Sequence, residues 1–200
     1  MFLPRPLILA SRSPRRLALL SQIGLSPRVV SCDIPEDFDA THSPAENAQH
    51  LARKKAECVA KNVAEGIVLG ADTIVVIDGV ILGKPVDDAD AMRMLSLLGG
   101  RTHTVYTGFA LIDRPSGQCV GGVEATQVTF RTIPRKEIEE YVRGGSPMDK
   151  AGAYGIQDDY GAVFVTRLEG CYYNVVGLPL ARVFLELQKL LESSTAPSLR

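Results

Sequence analysis

Neither sign of charge is in excess: 22 Lys and Arg stand against 23 Asp and Glu, giving a net charge of −1 and a pI near 6.3. That balance argues against a dedicated nucleic-acid binder, which is normally basic overall, so no nucleic-acid polymer is expected as a partner. No apolar run is long enough to span a bilayer, and residues 1–6 lack the apolar stretch of a secretion signal. The expectation is a cytoplasmic protein with no membrane partner. The four cysteines, Cys32, Cys58, Cys119 and Cys171, lie far apart without a C-x-x-C pair and read as reduced thiols. The histidines His42, His50 and His103 have no zinc-ligand spacing, and His103, inside a strand-like stretch, reads as structural. A Walker G-x-x-x-x-G-K-[ST] motif is missing, as are internal repeats, linkers and low-complexity blocks.

What remains is an ordinary globular mix, 46% hydrophobic and 22% charged over 200 residues. This length suits one domain, or one domain with two lobes. The expected domain covers residues 1–192, followed by a polar, frayed tail at 193–200.

The chain is organised around Leu7 to Ile23. Leu7-Ile8-Leu9 has the size of a buried strand, and Ser11-Arg12-Ser13 is a polar turn. Ser13 suits an N-cap and Pro14 the first helical position, with Leu17, Leu20 and Ile23 at near-helical spacing before Gly24. A helix N-terminus attracts anions, and Arg12, Arg15 and Arg16 crowd that turn. The combination reads as a phosphate site.

Arg28 to Cys32 reads as a second strand, followed by the acidic loop Asp33-Ile34-Pro35-Glu36-Asp37-Phe38-Asp39, whose carboxylates suit Mg²⁺. Ser43-Pro44-Ala45-Glu46 is a capping box opening a helix to about Asn62. Lys54 and Lys55 lie on adjacent faces of it, so at most one points at a given site. Ile67 to Ile77 is nearly continuously apolar, like a central strand, yet carries Gly70-Ala71-Asp72-Thr73 in its middle. A carboxylate there must meet a metal, a cation or water, which makes Asp72 a candidate base or metal ligand.

Asp78-Gly79 predicts a hairpin turn, and Val80-Ile81-Leu82 returns to Gly83-Lys84-Pro85. A helix follows from Asp87 to Leu98, then strands at 102–112 and 123–132, and a charged helix from Pro134 to Val142. The Gly-spaced stretch Asp149 to Gln157 reads as a loop packed close to a neighbour, with Gln157 offering donor and acceptor to a base edge. A strand is expected over Gly161 to Leu168 and an amphipathic helix over Leu180 to Leu191.

In this order SRSPRR, GADT, GKP, DKAGAYGIQ and YNVVGLP resemble the Maf family of nucleoside triphosphate pyrophosphatases. The resemblance runs from about Leu7 to Ala181 and implies an α/β fold. Its sheet is extended, twisted and mixed, flanked by helices, with two lobes, a central cleft and a kinship to inosine triphosphate pyrophosphatases. The implied reaction cleaves between the α- and β-phosphates with Mg²⁺ or Mn²⁺ as cofactor, and the implied partner is a small-molecule nucleoside triphosphate. Asp72 matches the family's proposed proton acceptor and Glu36 a second active-site acid, the pair also being the implied metal ligands. Ser11, Arg15, Arg16, Lys55 and Lys84 match the phosphate-binding set, and Arg15, Thr73 and Gln157 match positions tied to substrate choice. SPRR and AGAYGIQ resemble the branch acting on dTTP and UTP; the 7-methyl-GTP branch usually differs in both. Arg12 and Asp158 stand where Gly is frequent in the family, departures that bear on base preference. A homodimer is a further family property. Two other readings stay open: a nucleotidyl or phosphoryl transferase using the same basic loop, and a nucleotide-binding regulator of septum formation.

Overall fold

The computed structural model describes residues 3–157 and 160–195; Asp158 and the last five residues lie outside this set. Strands β1 (Leu7–Ala10), β2 (Arg28–Val29), β3 (Gly66–Ile77), β4 (Val80–Leu82), β5 (Thr102–Arg114), β6 (Cys119–Phe130) and β7 (Val165–Glu169) alternate with helices. The helices are α1 (Pro14–Gln22), α2 (Pro44–Ala60), α3 (Asp88–Leu98), α4 (Arg135–Arg143), α5 (Tyr172–Val176) and α6 (Leu180–Thr195). The seven strands form one mixed sheet in the order β2-β1-β3-β5-β6-β7, with β4 paired to β3. β1 runs parallel to β2 and β3, whereas β4 is antiparallel to β3 and β7 to β6. The α/β class with a mixed, helix-flanked sheet is therefore as the sequence implies.

The chain divides into two compact units. The first is drawn from Met1–Asp72, Thr107–Val123 and Gly177–Arg200, and the second from Thr73–Tyr106 and Glu124–Val176. In the first, α2 lays Ala56, Val59 and Ala60 on Ile8, Val68 and Ala110 of the sheet. Its backbone comes unusually close: a Cβ on Gly70 would meet the Ala52 carbonyl oxygen at 2.3 Å, and one on Gly108 the Ala48 carbonyl carbon at 2.4 Å. Only glycine lets helix and strands approach this closely. α6 buries Leu180, Val183, Leu187 and Leu190, the expected stripe. It continues to Thr195, past the expected end at Leu191, so the start of the expected frayed tail is helical.

In the second unit α3 and α4 bury Ala91, Leu95, Leu98, Ile138 and Val142 against Val75, Leu82, Val105 and Phe130. Asp78 and Gly79 both adopt positive φ, 49° and 76°, the geometry of the predicted hairpin turn. Two of the expected strands differ from expectation, and α5 is a helix where none is expected. β2 covers only Arg28–Val29, both exposed. Residues expected as a strand from Gly161 begin instead as a 3-10 turn, Tyr160–Phe164, before β7. Phe164 is fully buried against the rings of Phe130 and Tyr141, and that packing overrides the strand propensity of its neighbours.

Candidate active site

The GADT segment does not break the strand: β3 runs unbroken from Gly66 to Ile77 with Asp72 7% exposed. Side chains two apart on a strand share a face. Asp72 therefore points to the side on which Gly70 admits α2, and α2 supplies its partner. Lys55 Nζ donates to Asp72 Oδ1 at 2.5 Å and to Glu36 Oε1 at 2.6 Å. Lys55 is the lysine that reaches the site, and the acidic loop brings Glu36 to the same ammonium.

α1 provides the second cation. Ser13 caps the helix by accepting from the Arg16 N–H, and Pro14 opens it. This leaves Arg16 on the inward face, 8% exposed. Its Nε donates to the Gly177 carbonyl at 2.8 Å and its guanidinium to Ser11 Oγ at 3.0 Å. Ser11 Oγ also accepts from the Ser13 N–H at 3.2 Å. Ser11 thus orients the guanidinium and shapes the turn. Arg15 is half-buried, and its charge is felt at Arg16. Arg12 points away, exposed and paired with Asp33 at 2.8 Å.

Burial dominates the electrostatics. It raises the Asp72 pKa above the ordinary carboxylate value, against the opposing pull of Lys55 and then Arg16. Burial likewise lowers the Arg16 pKa, while Asp72 pulls it up, yet a guanidinium stays charged throughout the working range. The first unit therefore holds a desolvated acid flanked by two nearly buried cations, with a half-exposed Glu36 beside it.

The acidic loop is tied to α2 at both ends. Asn47, 2% exposed in the first turn of α2, accepts from the Asp39 N–H at 2.8 Å and donates to the Asp39 carbonyl at 2.9 Å. At the other end Cys32 is disulfide-bonded to Cys58 of α2, with Cα atoms 6.2 Å apart. This corrects the expectation of four reduced thiols. A separation of 26 residues carries no motif, so only the fold reveals the pair. Cys119 and Cys171 are free.

The remaining predicted site residues belong to the second unit. Thr73 is its half-buried first residue, and Lys84 is exposed on the turn after β4. That turn is fixed to the Gly-spaced segment: the Gly152 N–H donates to the Gly83 carbonyl at 3.0 Å. Gln157 is half-buried, with Oε1 buried and without a hydrogen-bond partner among the described residues.

A family profile described as Maf-like protein matches residues 6–190. The chain belongs to the Maf family. It is 47% identical over 189 residues to a dTTP/UTP pyrophosphatase of Chlorobium phaeovibrioides, covering 92% of this chain and 97% of that one. The dTTP/UTP pyrophosphatase of Bacillus cereus strain AH820 is 46% identical over 185 residues, covering 92% and 95%. Among solved structures, the Staphylococcus aureus Ham1 protein aligns with a TM-score of 0.50 over 92% of this chain and 99% of that one. At 17% identity that likeness speaks to the fold alone.

Within this Maf chain, sequence reasoning missed Asn47, the Gly177 carbonyl and the Cys32–Cys58 pair. Asn47 carried a usable signal, because a polar residue on the apolar face of α2 needs a partner. No group of three or more His, Cys, Asp or Glu suited to a metal occurs among the described residues. Asp72 and Glu36 do converge on one cation position, now taken by Lys55 Nζ. Mg²⁺ usually takes one or two carboxylates and completes its shell with water and substrate phosphate, so this donor set fits it.

Proposed function

We propose that this Maf-family chain is a nucleoside triphosphate pyrophosphatase that hydrolyses dTTP and UTP to the monophosphate and pyrophosphate. The observation that supports it most is the buried Asp72 held by Lys55 beside Arg16. A desolvated carboxyl that shares its ammonium with an exposed acid beside a buried guanidinium is an arrangement suited to binding an anionic substrate and activating water.

In this reading Ser11, Arg15, Arg16, Lys55 and Lys84 bind the triphosphate, the cations by charge-assisted hydrogen bonds. Thr73, Gln157 and Arg15 select the base, and Gln157 Oε1, buried without a hydrogen-bond partner among the described residues, can accept from a donor such as the N3–H of thymine or uracil. Asp72, with Glu36, would hold Mg²⁺ or Mn²⁺, which when bound supplies charge neutralisation and polarises the α-phosphate. Triphosphate binding draws Lys55 toward the phosphates and releases the Asp72 carboxylate. Burial makes that carboxylate a stronger base than an exposed aspartate. It orients a water, accepts its proton as the oxygen attacks the α-phosphorus, and pyrophosphate leaves. Positioning and charge stabilisation supply most of the rate.

No described helix is long and apolar enough to cross a membrane. The reading places the enzyme in the cytoplasm, and a homodimer remains part of it as a family property. The test presents each canonical and modified triphosphate with Mg²⁺ and no acceptor, and reads monophosphate and pyrophosphate. Equimolar release from dTTP and UTP is expected. Phosphate release, a preference for 7-methyl-GTP, or nucleotide binding without turnover would each overturn it.

A further inference from the structure

The acidic loop is the least supported part of the active site: Glu36 is exposed and sits between two tethers to α2. The Asn47 tether is built of neutral hydrogen bonds and has no redox chemistry. The Cys32–Cys58 tether is covalent and can be opened. Both sulfur-bearing residues are half-exposed, so a small thiol or disulfide can reach them. Their positions are also functional. Cys32 precedes Glu36 by four residues, and Cys58 lies one helical turn beyond Lys55 on α2. Lys55 and Glu36 are themselves in contact at 2.6 Å. The redox-active bond of the loop therefore joins the carrier of Glu36 to the carrier of Lys55.

We propose that Cys32 and Cys58 form a reversible thiol–disulfide site that sets how firmly Glu36 is held at Asp72 and Lys55. The co-reactant is a low-molecular-weight disulfide. One cysteine thiolate attacks a sulfur of that disulfide, forming a mixed disulfide and expelling a thiolate. The second cysteine then attacks the protein sulfur, closing Cys32–Cys58 and expelling the other thiolate. The two protein sulfurs lose two electrons, the small disulfide gains them, and the two cysteine protons end on the two released thiols. Excess small thiol reverses both steps. When the bond is closed Glu36 is presented in place; when it is open, residues 32–38 keep the Asn47 tether and the ion pairs of Asp33 and Glu36 but lose their covalent link to α2. The part of this inference that concerns Mg²⁺ rests on the pyrophosphatase reading, but the tether itself does not.

The test uses the full chain, reduced with excess small thiol or oxidised with a small disulfide, beside Cys32→Ser and Cys58→Ser. Alkylation and mass analysis count the thiols, and hydrogen exchange reports the amides of residues 33–38. Oxidation is expected to consume the Cys32 and Cys58 thiols as an internal bond carrying no small-thiol adduct, whatever adduct Cys119 or Cys171 takes up, and to slow exchange in the loop. Neither serine variant should change loop exchange with redox state. Half-saturating Mg²⁺ for dTTP hydrolysis is expected to fall about fivefold on oxidation, about 1 kcal/mol, the scale for ordering one long side chain. Cys32 and Cys58 both remaining alkylatable after oxidation, or loop exchange indifferent to their state, would overturn the proposal. Absence of turnover in both states would instead count against the pyrophosphatase reading, since thiol count and exchange are read without it.

Discussion

Asp72 of the first unit and His103 of the other unit resemble each other in one dimension. Each is a titratable residue inside a largely apolar strand, and they are 7% and 2% exposed. Their surroundings differ in kind. Asp72 meets a lysine that also reaches an exposed glutamate, with a buried arginine close by. His103 meets one neutral hydroxyl, Tyr154, at 2.8 Å, and lies edge-on to the rings of Phe130 and Tyr154. Burial pushes the His103 pKa down to about 4 and keeps it neutral, and it raises that of the Tyr154 phenol. Burial alone therefore does not mark a site. What distinguishes the first unit is a desolvated carboxyl paired with a lysine that it shares with a group facing solvent.

The largest expected effect tests that pairing directly. Asp72→Asn should lower kcat for dTTP about a thousandfold, within the range for losing a positioned base. Stability should move the other way. A carboxyl whose folded pKa is raised contributes stability below its unfolded pKa that is lost as pH rises through the folded value. Ionisation of the desolvated Asp72 thus works against folding, and the neutral amide should unfold at an equal or higher temperature, Lys55 retaining Glu36. Thermal melts and initial rates on one preparation measure both. A variant that keeps its rate, or loses rate only because it melts early, would erase the distinction between the two units.

For His103 the sign is reversed. Its folded pKa lies below the unfolded value, so its neutral form contributes stability above pH 6.5 that is lost as pH falls toward 4. The shift corresponds to about 3 kcal/mol across that window. Replacing both members, His103→Phe with Tyr154→Phe, exchanges a buried polar pair for two rings of similar shape. Such exchanges are close to neutral. Denaturant midpoints at pH 7 should match wild type, those near pH 4.5 should exceed it, and turnover at neutral pH should stay within about twofold, since the pair touches none of the charged residues around Asp72. A large loss of turnover would move His103 from the scaffold to the chemistry.

Much of this was legible in the chain itself, for local reasons. Ser13 and Ser43 cap their helices with their own hydroxyls, and Ser43 and Glu46 complete the predicted box. Asp72 stands out because an acid in an apolar strand must find a partner; that the partner is Lys55 is visible only in the fold. Long-range partners were not legible. Arg16 is locked by the Gly177 carbonyl, 161 residues away, and a carbonyl has no signature in sequence. The Cys32–Cys58 pair depends on where a loop returns to a helix, which spacing does not encode. Phe164 was misplaced in a strand because the aromatic cluster that buries it comes from β6 and α4.

The smallest effect probes whether a neutral buried group can matter to chemistry after all. Asn47 resembles His103 in being uncharged and buried, yet it belongs to the loop that carries Glu36. Its side chain accepts from the Asp39 N–H and donates to the Asp39, His42 and Ser43 carbonyls. Asn47→Ala removes these bonds and leaves partners that solvent can reach, so the loss of stability should be about 1 kcal/mol. Freed at that end, the loop should present Glu36 less often. KM for dTTP and half-saturating Mg²⁺ should then rise several-fold while kcat stays near wild type, because Asp72, Lys55 and Arg16 are fixed by other elements. The same variant with Cys32–Cys58 closed should recover part of the Mg²⁺ affinity, since the second tether compensates for the first. Equal KM values in both variant and wild type would mean that Glu36 needs no loop to hold it. A fall in kcat matching that of Asp72→Asn would mean that the loop positions the base itself.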